Sequence, residues 1–128
     1  MKIERFEDLD IWKEARELCK HVFDLTSKDL FSKDFKFRDQ IRSSSGSIMD
    51  NIAEGFERGG NKEFIQFLYI SKGSCGETRS QAYRAFDFKY ISETDLNYLN
   101  SYTVTLSSKI ANLIKYLKTS EFKGVKYH

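Results

Sequence analysis

Chemistry at a protein site needs nucleophiles, acid–base groups or metal ligands at workable spacing, and this chain holds few of them. Its cysteines are Cys19 and Cys75, and its histidines are His21 and the C-terminal His128. A di-iron carboxylate site among packed helices needs Glu-x-x-His pairs facing inward. Neither histidine follows a glutamate by three, so that reading fails. Zinc needs paired Cys/His ligands, and these four residues lie far apart. Gly59-Gly60 and Gly73…Gly76 match neither a phosphate-binding loop nor a dinucleotide fingerprint. His21 has no sequence context that would make it a catalytic base. These residues point away from an enzyme, and no cofactor is implied.

What remains is electrostatic. From Lys109 onward, Lys109, Lys115, Lys118, Lys123 and Lys126 are opposed by Glu121 alone. Arg79, Arg84 and Lys89 could extend this basic end, with tyrosines nearby for stacking. Such cations bind phosphates by counterion release without reading base sequence, and aromatic rings stack on bases. The plainer account is a solvated helix end whose lysines suit the macrodipole. On charge alone the plainer account wins, because the net charge is only +2.

The elements that would position these groups are helices. A chain of 128 residues fits one domain, residues 1–128, with a core and no need of disulfides. It contains no proline, which favours long uninterrupted helices over a turn-rich β fold. The predicted class is all-α, an antiparallel up-down-up-down four-helix bundle. The helices fall at about 8–26, 34–58, 62–89 and 93–118, with a C-terminal tail over 119–128. No stretch approaches the roughly 20 apolar residues of a membrane span, and the start lacks a signal-peptide core. With its thiols read as free and buried, the protein is expected to be cytoplasmic, with no membrane partner.

The chain is organised around residues 40–58. Phe37, Ile41, Ser45, Ile48, Ile52 and Phe56 share one helical face. Beside it runs a polar stripe of Gln40, Ser44, Ser47, Asn51, Glu54 and Arg58. The stripe reads as the satisfied flank of a core helix, or more sharply as a seam that pins helix packing or subunit contact. Arg42, Ser47, Asn51, Glu54 and Arg58 are the candidates for that seam.

The same stretch carries a resemblance. Gln40-Ile41-Arg42, Ser47-Ile48 and Asn51-Ile52-Ala53-Glu54-Gly55 with Arg58 resemble the signature of a bacterial four-helix-bundle family encoded within intervening sequences of large-subunit ribosomal RNA genes. A relative is the accessory variability protein of diversity-generating retroelements. Phe6-x-Asp8-Leu9-x-x-Trp12, Phe64-x-x-Phe67-Leu68 and Gly73-Ser74 followed by Glu77 agree in order and spacing, so the match covers about residues 5–90. Cys75-Gly76 departs from it, where Leu-Ala or similar is expected. The resemblance implies a homopentamer and little about chemistry. Two readings follow. One is an oligomer that associates with nucleic acid, RNA favoured over DNA, through Lys109, Lys115, Lys118, Arg79 and Arg84. The other is an adaptor that docks a protein partner such as a reverse transcriptase.

Local features complete the expectations. Residues 1–7 read as an extended lead-in, with Phe6 plugging one end. Ile11, Ala15, Leu18, Val22 and Leu25 form the first seam, and His21 sits at its rim. Leu30 and Phe31 should tuck against the bundle end. Ser32 and Asn61 are candidate caps for the second and third helices. Gly59-Gly60 ends the second helix. The third helix buries Phe64, Phe67, Leu68, Ser71, Cys75, Thr78, Ala82, Ala85 and Phe86, and Gly73 and Gly76 suggest a tight contact at its waist. Ser92 and Asp95 form a capping box. Leu96, Leu99, Thr103, Leu106, Ile110, Leu113 and Leu117 make the fourth seam, flanked by Tyr98, Tyr102, Ile114 and Tyr116. That excess of flanking apolar surface favours an oligomer.

Overall fold

The computed structural model describes residues 2–120. Helices α1 (Asp10–Thr26), α2 (Phe35–Glu57), α3 (Asn61–Asp87) and α4 (Glu93–Thr119) account for most of them, with 3-10 turns at Phe6–Asp8 and Phe31–Lys33. Among the described residues there is no strand, so the fold is all-α with four helices. Lys123, Lys126 and the end of the expected C-terminal tail lie outside the described residues.

Each helix boundary has a local cause. The lead-in is not extended throughout. The Asp8 carboxylate accepts the backbone N–H groups of Glu4 and Arg5 at 3.0 and 3.1 Å and closes a turn ahead of α1. Those two bonds, Glu4 first, hold its carboxyl below the usual range. Phe6 packs partly buried, its ring 5.1 Å from that of Trp12. Asp34, not Ser32, caps α2 by accepting from Phe37 N, and it also receives the Tyr90 hydroxyl at 2.8 Å. Ser32 instead donates to the Asp29 carbonyl. Gly59 follows α2 at φ 86°, the left-handed conformation glycine adopts without Cβ strain. Asn61 opens α3 rather than capping it, and its amide donates to the Leu117 carbonyl of α4. Ser92 and Asp95 form the reciprocal box, with bonds of 3.1 and 3.2 Å.

The core gathers Ala15, Leu18 and Val22 of α1, Ile41, Ile48 and Ile52 of α2, Phe64 and Leu68 of α3, and Leu99, Leu106 and Ile110 of α4. Full burial of each large aliphatic or phenyl group among them contributes roughly 1.5–3 kcal/mol. On α4 the buried set runs Ile110, Ile114, Leu117, and Leu113 is only partly buried. A straight helix turns every 3.6 residues, so a strict 3.5 repeat drifts off the core after a few turns. Leu30 is exposed while Phe31 is buried, because the 3-10 turn begins at Phe31 and aims that ring alone inward. On α3, Phe67 is half-buried and Phe86 exposed, and the polar Ser74 and Gln81 take places in the buried set.

The waist contact lies elsewhere than expected. A Cβ built on Gly73 or Gly76 would meet nothing within 4 Å. A Cβ on Gly55 would stand 2.6 Å from the Phe67 Cβ and 3.1 Å from Phe64 Cδ1. The close approach of α2 and α3 is therefore at Gly55, while the α3 glycines face open space. Each of those two lowers intrinsic helix stability by about 1 kcal/mol relative to alanine, with no packing in return.

Candidate nucleic-acid interface

The polar stripe of α2 resolves into separate contacts within the chain. Ser44 donates to Gln81 Oε1 at 2.6 Å, and its single proton is then spent, so the Thr78 hydroxyl 2.9 Å away donates to it. Ser74 donates to the Ser47 hydroxyl at 3.0 Å, and Ser71 to the Ile48 carbonyl at 2.9 Å. Asn51 donates to the Ser47 carbonyl and hydroxyl, both at 2.8 Å. Ser44 and Ser47 thus bind α2 to α3. Arg42 faces the other way. It donates to the hydroxyls of Thr26 and Ser27 at the end of α1 and lies over the Phe23 ring. Glu54 and Arg58 pair with each other at 3.0 Å on the exposed surface, and Arg58 also covers Phe67.

The five proposed phosphate-binding cations are also divided. Lys109 turns toward α1 and pairs with Glu14 at 2.7 Å, and that hydrogen bond raises its pKa. Tyr102, on the same side of α4, donates to the Glu14 carbonyl at 2.8 Å, and Tyr98 stacks on His21 with ring centroids 4.1 Å apart. Burial first, then the neighbouring Tyr98, pushes the Tyr102 phenol up to about 12. Arg84 turns toward α2, over the Phe37 ring at 4.5 Å. It shares a recess with Lys36, Asp39, Gln40, Ser43, Glu77 and Gln81, where both signs of charge are present.

Lys115, Lys118 and Arg79 all border the groove between α3 and α4, Arg79 on one recess and the two lysines on the next. Two adjoining recesses of about 250 and 290 Å³ line it, both bordered by Lys72. The first contains Cys75, Gly76 and Arg79 from α3 and Thr103, Val104, Ser107 and Ser108 from α4. The second contains Tyr69 from α3 and Ala111, Ile114, Lys115 and Lys118 from α4. No carboxylate lines either one. The acids of α4, Glu93 and Asp95, both sit in its first turn. Lys118 donates to the Tyr69 hydroxyl at 2.7 Å and stands 5.2 Å from that ring. Lys72, Arg79 and Lys115 are exposed and form no ion pair among the described residues. Cations without ion pairs around a lining that holds no carboxylate are suited to neutralise a phosphodiester backbone.

Lys72, Tyr69 and Tyr83 were not singled out from the sequence, although a signal exists. Tyr69, Lys72, Gly76, Arg79 and Tyr83 step by three, four, three and four, so they form one helical stripe. Being polar, the stripe escapes a search for apolar periodicity.

The thiols bring no charge to the groove, although Cys75 lines its first recess. Burial first pushes Cys19 up to about 11 and Cys75 up to about 12, so both stay protonated at neutral pH. Thiolate is the reactive form, so labelling by a disulfide reagent at pH 8 should be at least about a hundredfold slower in the folded protein than in denaturant. A stopped-flow absorbance trace checks this, and rapid labelling of either thiol in the native state would contradict it. Among the described residues, no group of three His, Cys, Asp or Glu side chains is placed to hold a metal, and no helix is long and apolar enough to cross a membrane.

Comparison with known proteins adds the lineage. No curated protein matches the chain. A crystal structure of a protein of unknown function from the S23 ribosomal protein family of Bacteroides thetaiotaomicron is similar in fold, with a TM-score of 0.75. It is 20% identical, and the alignment covers 82% of this chain and 98% of that one. The family model of the 23S rRNA-intervening sequence proteins matches residues 7–123. With nearly all of its length inside that match, the chain belongs to the 23S rRNA-intervening sequence protein family.

Proposed function

We propose that this protein is a non-catalytic, self-associating protein that binds nucleic acid, RNA favoured, through the basic groove between α3 and α4. The observation that carries the reading is the acid-free lining of that groove, with Lys72, Arg79, Lys115 and Lys118 around it. The family's description, tied to 23S rRNA, puts RNA first among the nucleic acids. The helices form an antiparallel up-down-up-down bundle. The Asp34–Tyr90 bond, the Asn61–Leu117 bond and the stacking of His21 on Tyr98 support that arrangement. Self-association as a homopentamer is what the family resemblance implies, and a cytoplasmic location is what the sequence's free thiols and lack of an apolar span suggest. Exposed Phe23, Leu30, Phe35 and Phe88 are apolar surface that an assembly would cover.

A salt series on labelled RNA tests the reading. Neutralising four phosphates of a single strand should give a log–log slope of about −3 for each groove engaged. No binding at low salt, by protein shown to be folded, would retire it. The same exposed aromatic groups favour a second reading, an adaptor that docks a protein partner such as a reverse transcriptase. An apolar docking surface of that kind would be nearly indifferent to salt.

A further inference from the structure

We infer that the α3–α4 groove takes a single strand rather than a duplex, and that Gly76 is bare so that the strand's backbone can reach the groove floor. The inference rests on the nucleic-acid reading above. Gly76 sits between Lys72 and Arg79 in the lining, within a long helix that it weakens. The fold does not require it, because a Cβ there would meet nothing within 4 Å. Its structural effect is to lower the floor of the first recess, between Lys72 and Arg79.

The dimensions fit a strand. From Tyr69 to Tyr83 the stripe runs roughly 21 Å along α3 at 1.5 Å per residue. At a stacked rise of about 3.4 Å this accommodates about six nucleotides, within the range of known single-strand sites. Tyr69 and Tyr83 stand near the two ends, each half exposed, with hydroxyls held by Lys118 and Asn100. Their rings offer flat faces to unpaired bases, which a duplex keeps stacked inside. A duplex would also present its phosphates on a convex surface, touching the lysines at the rim and leaving the floor empty. Groove depth therefore separates the two ligands.

The test compares Gly76→Leu with Gly73→Leu. Both glycines face open space on the same helix, so both variants should keep or raise the melting temperature. Gly73 is exposed and does not line the groove. The probes are a labelled oligouridylate of about twelve nucleotides and a blunt RNA duplex of the same length. The expected result is at least tenfold preference of the unmodified protein for the single strand. Gly76→Leu should weaken that binding at least tenfold, and Gly73→Leu should stay within about twofold. Equal affinity for duplex and strand would overturn the inference. So would unaltered binding by Gly76→Leu alongside its loss in a groove-charge variant, and there the nucleic-acid reading would survive. Absence of any binding by the unmodified protein would remove that reading and this inference together.

Discussion

Replacing Lys72, Arg79, Lys115 and Lys118 together with glutamine should lower affinity for single-stranded RNA by roughly a hundred- to a thousandfold near 0.1 M salt. Each lost phosphate contact removes about 0.7 from the salt slope, which at that concentration amounts to about 0.7 in log affinity. Four contacts then give close to three decades. Glutamine matches lysine and arginine in helix propensity, and none of the four side chains has an ion pair to lose among the described residues, so the fold should hold. The variant shifts net charge from +2 to about −2, which by itself weakens attraction to any polyanion. A matched variant removes that ambiguity. Lys13, Lys20, Lys28 and Lys109 also carry four positive charges but lie on or toward α1. Changing them to glutamine should reduce affinity by less than about tenfold. Fluorescence anisotropy across the salt series measures both, and equal losses would show that overall charge, not the groove, drives binding.

Gly55→Leu should destabilise the fold by about 3 kcal/mol, against an expected gain near 1 kcal/mol for Gly76→Ala. Both substitutions act on a helical glycine, Gly55 in the last turn of α2 and Gly76 in the interior of α3, with opposite sign. At Gly55 a Cβ would stand 2.6 Å from the Phe67 Cβ, at the root of that side chain. A root atom cannot swing aside as a side-chain tip can, so the α3 backbone must move. Phe64 Cδ1 at 3.1 Å blocks the other direction, and Phe64 is itself fully buried against Phe56. The gain in helix propensity is then outweighed by strain and lost packing. Thermal unfolding followed by circular dichroism reads both. An unchanged or raised melting temperature for Gly55→Leu would show that α2 and α3 can part at that point without penalty.

These cases mark what the sequence carries and what it leaves open. The absence of proline, the glycine pair after α2 and the Ser92–Asp95 box are local signals, and each has its local counterpart in the structure. Whether a glycine packs tightly or faces open space depends on a neighbour far along the chain. Sequence alone therefore suggests a tight contact at Gly73 and Gly76, whereas the close approach is at Gly55. The polar stripe of α2 had the same difficulty. Its spacing shows that Arg42 and Ser47 lie off the core, but not that one faces α1 and the other α3. The lysines of α4 are legible from helical phase. Lys115 and Lys118 are separated by about 60° around a helix, whereas Lys109 stands about 120° from Lys115 and about 180° from Lys118. Helical phase alone assigns Lys109 to another side, in keeping with its pairing with Glu14 of α1.

The link between α2 and α3 runs only through Arg58, Gly59 and Gly60. So short a closure leaves little chain entropy to overcome before Ser47 meets Ser74 and Gly55 meets Phe67. By contrast, α1 meets α4 through Glu14 and Tyr102, residues separated by most of the chain. In time rather than in space, the α2–α3 hairpin is placed to form first and to template the rest. The contact of α1 with α4 then forms among the last, once Lys109 and Tyr102 are there to receive Glu14.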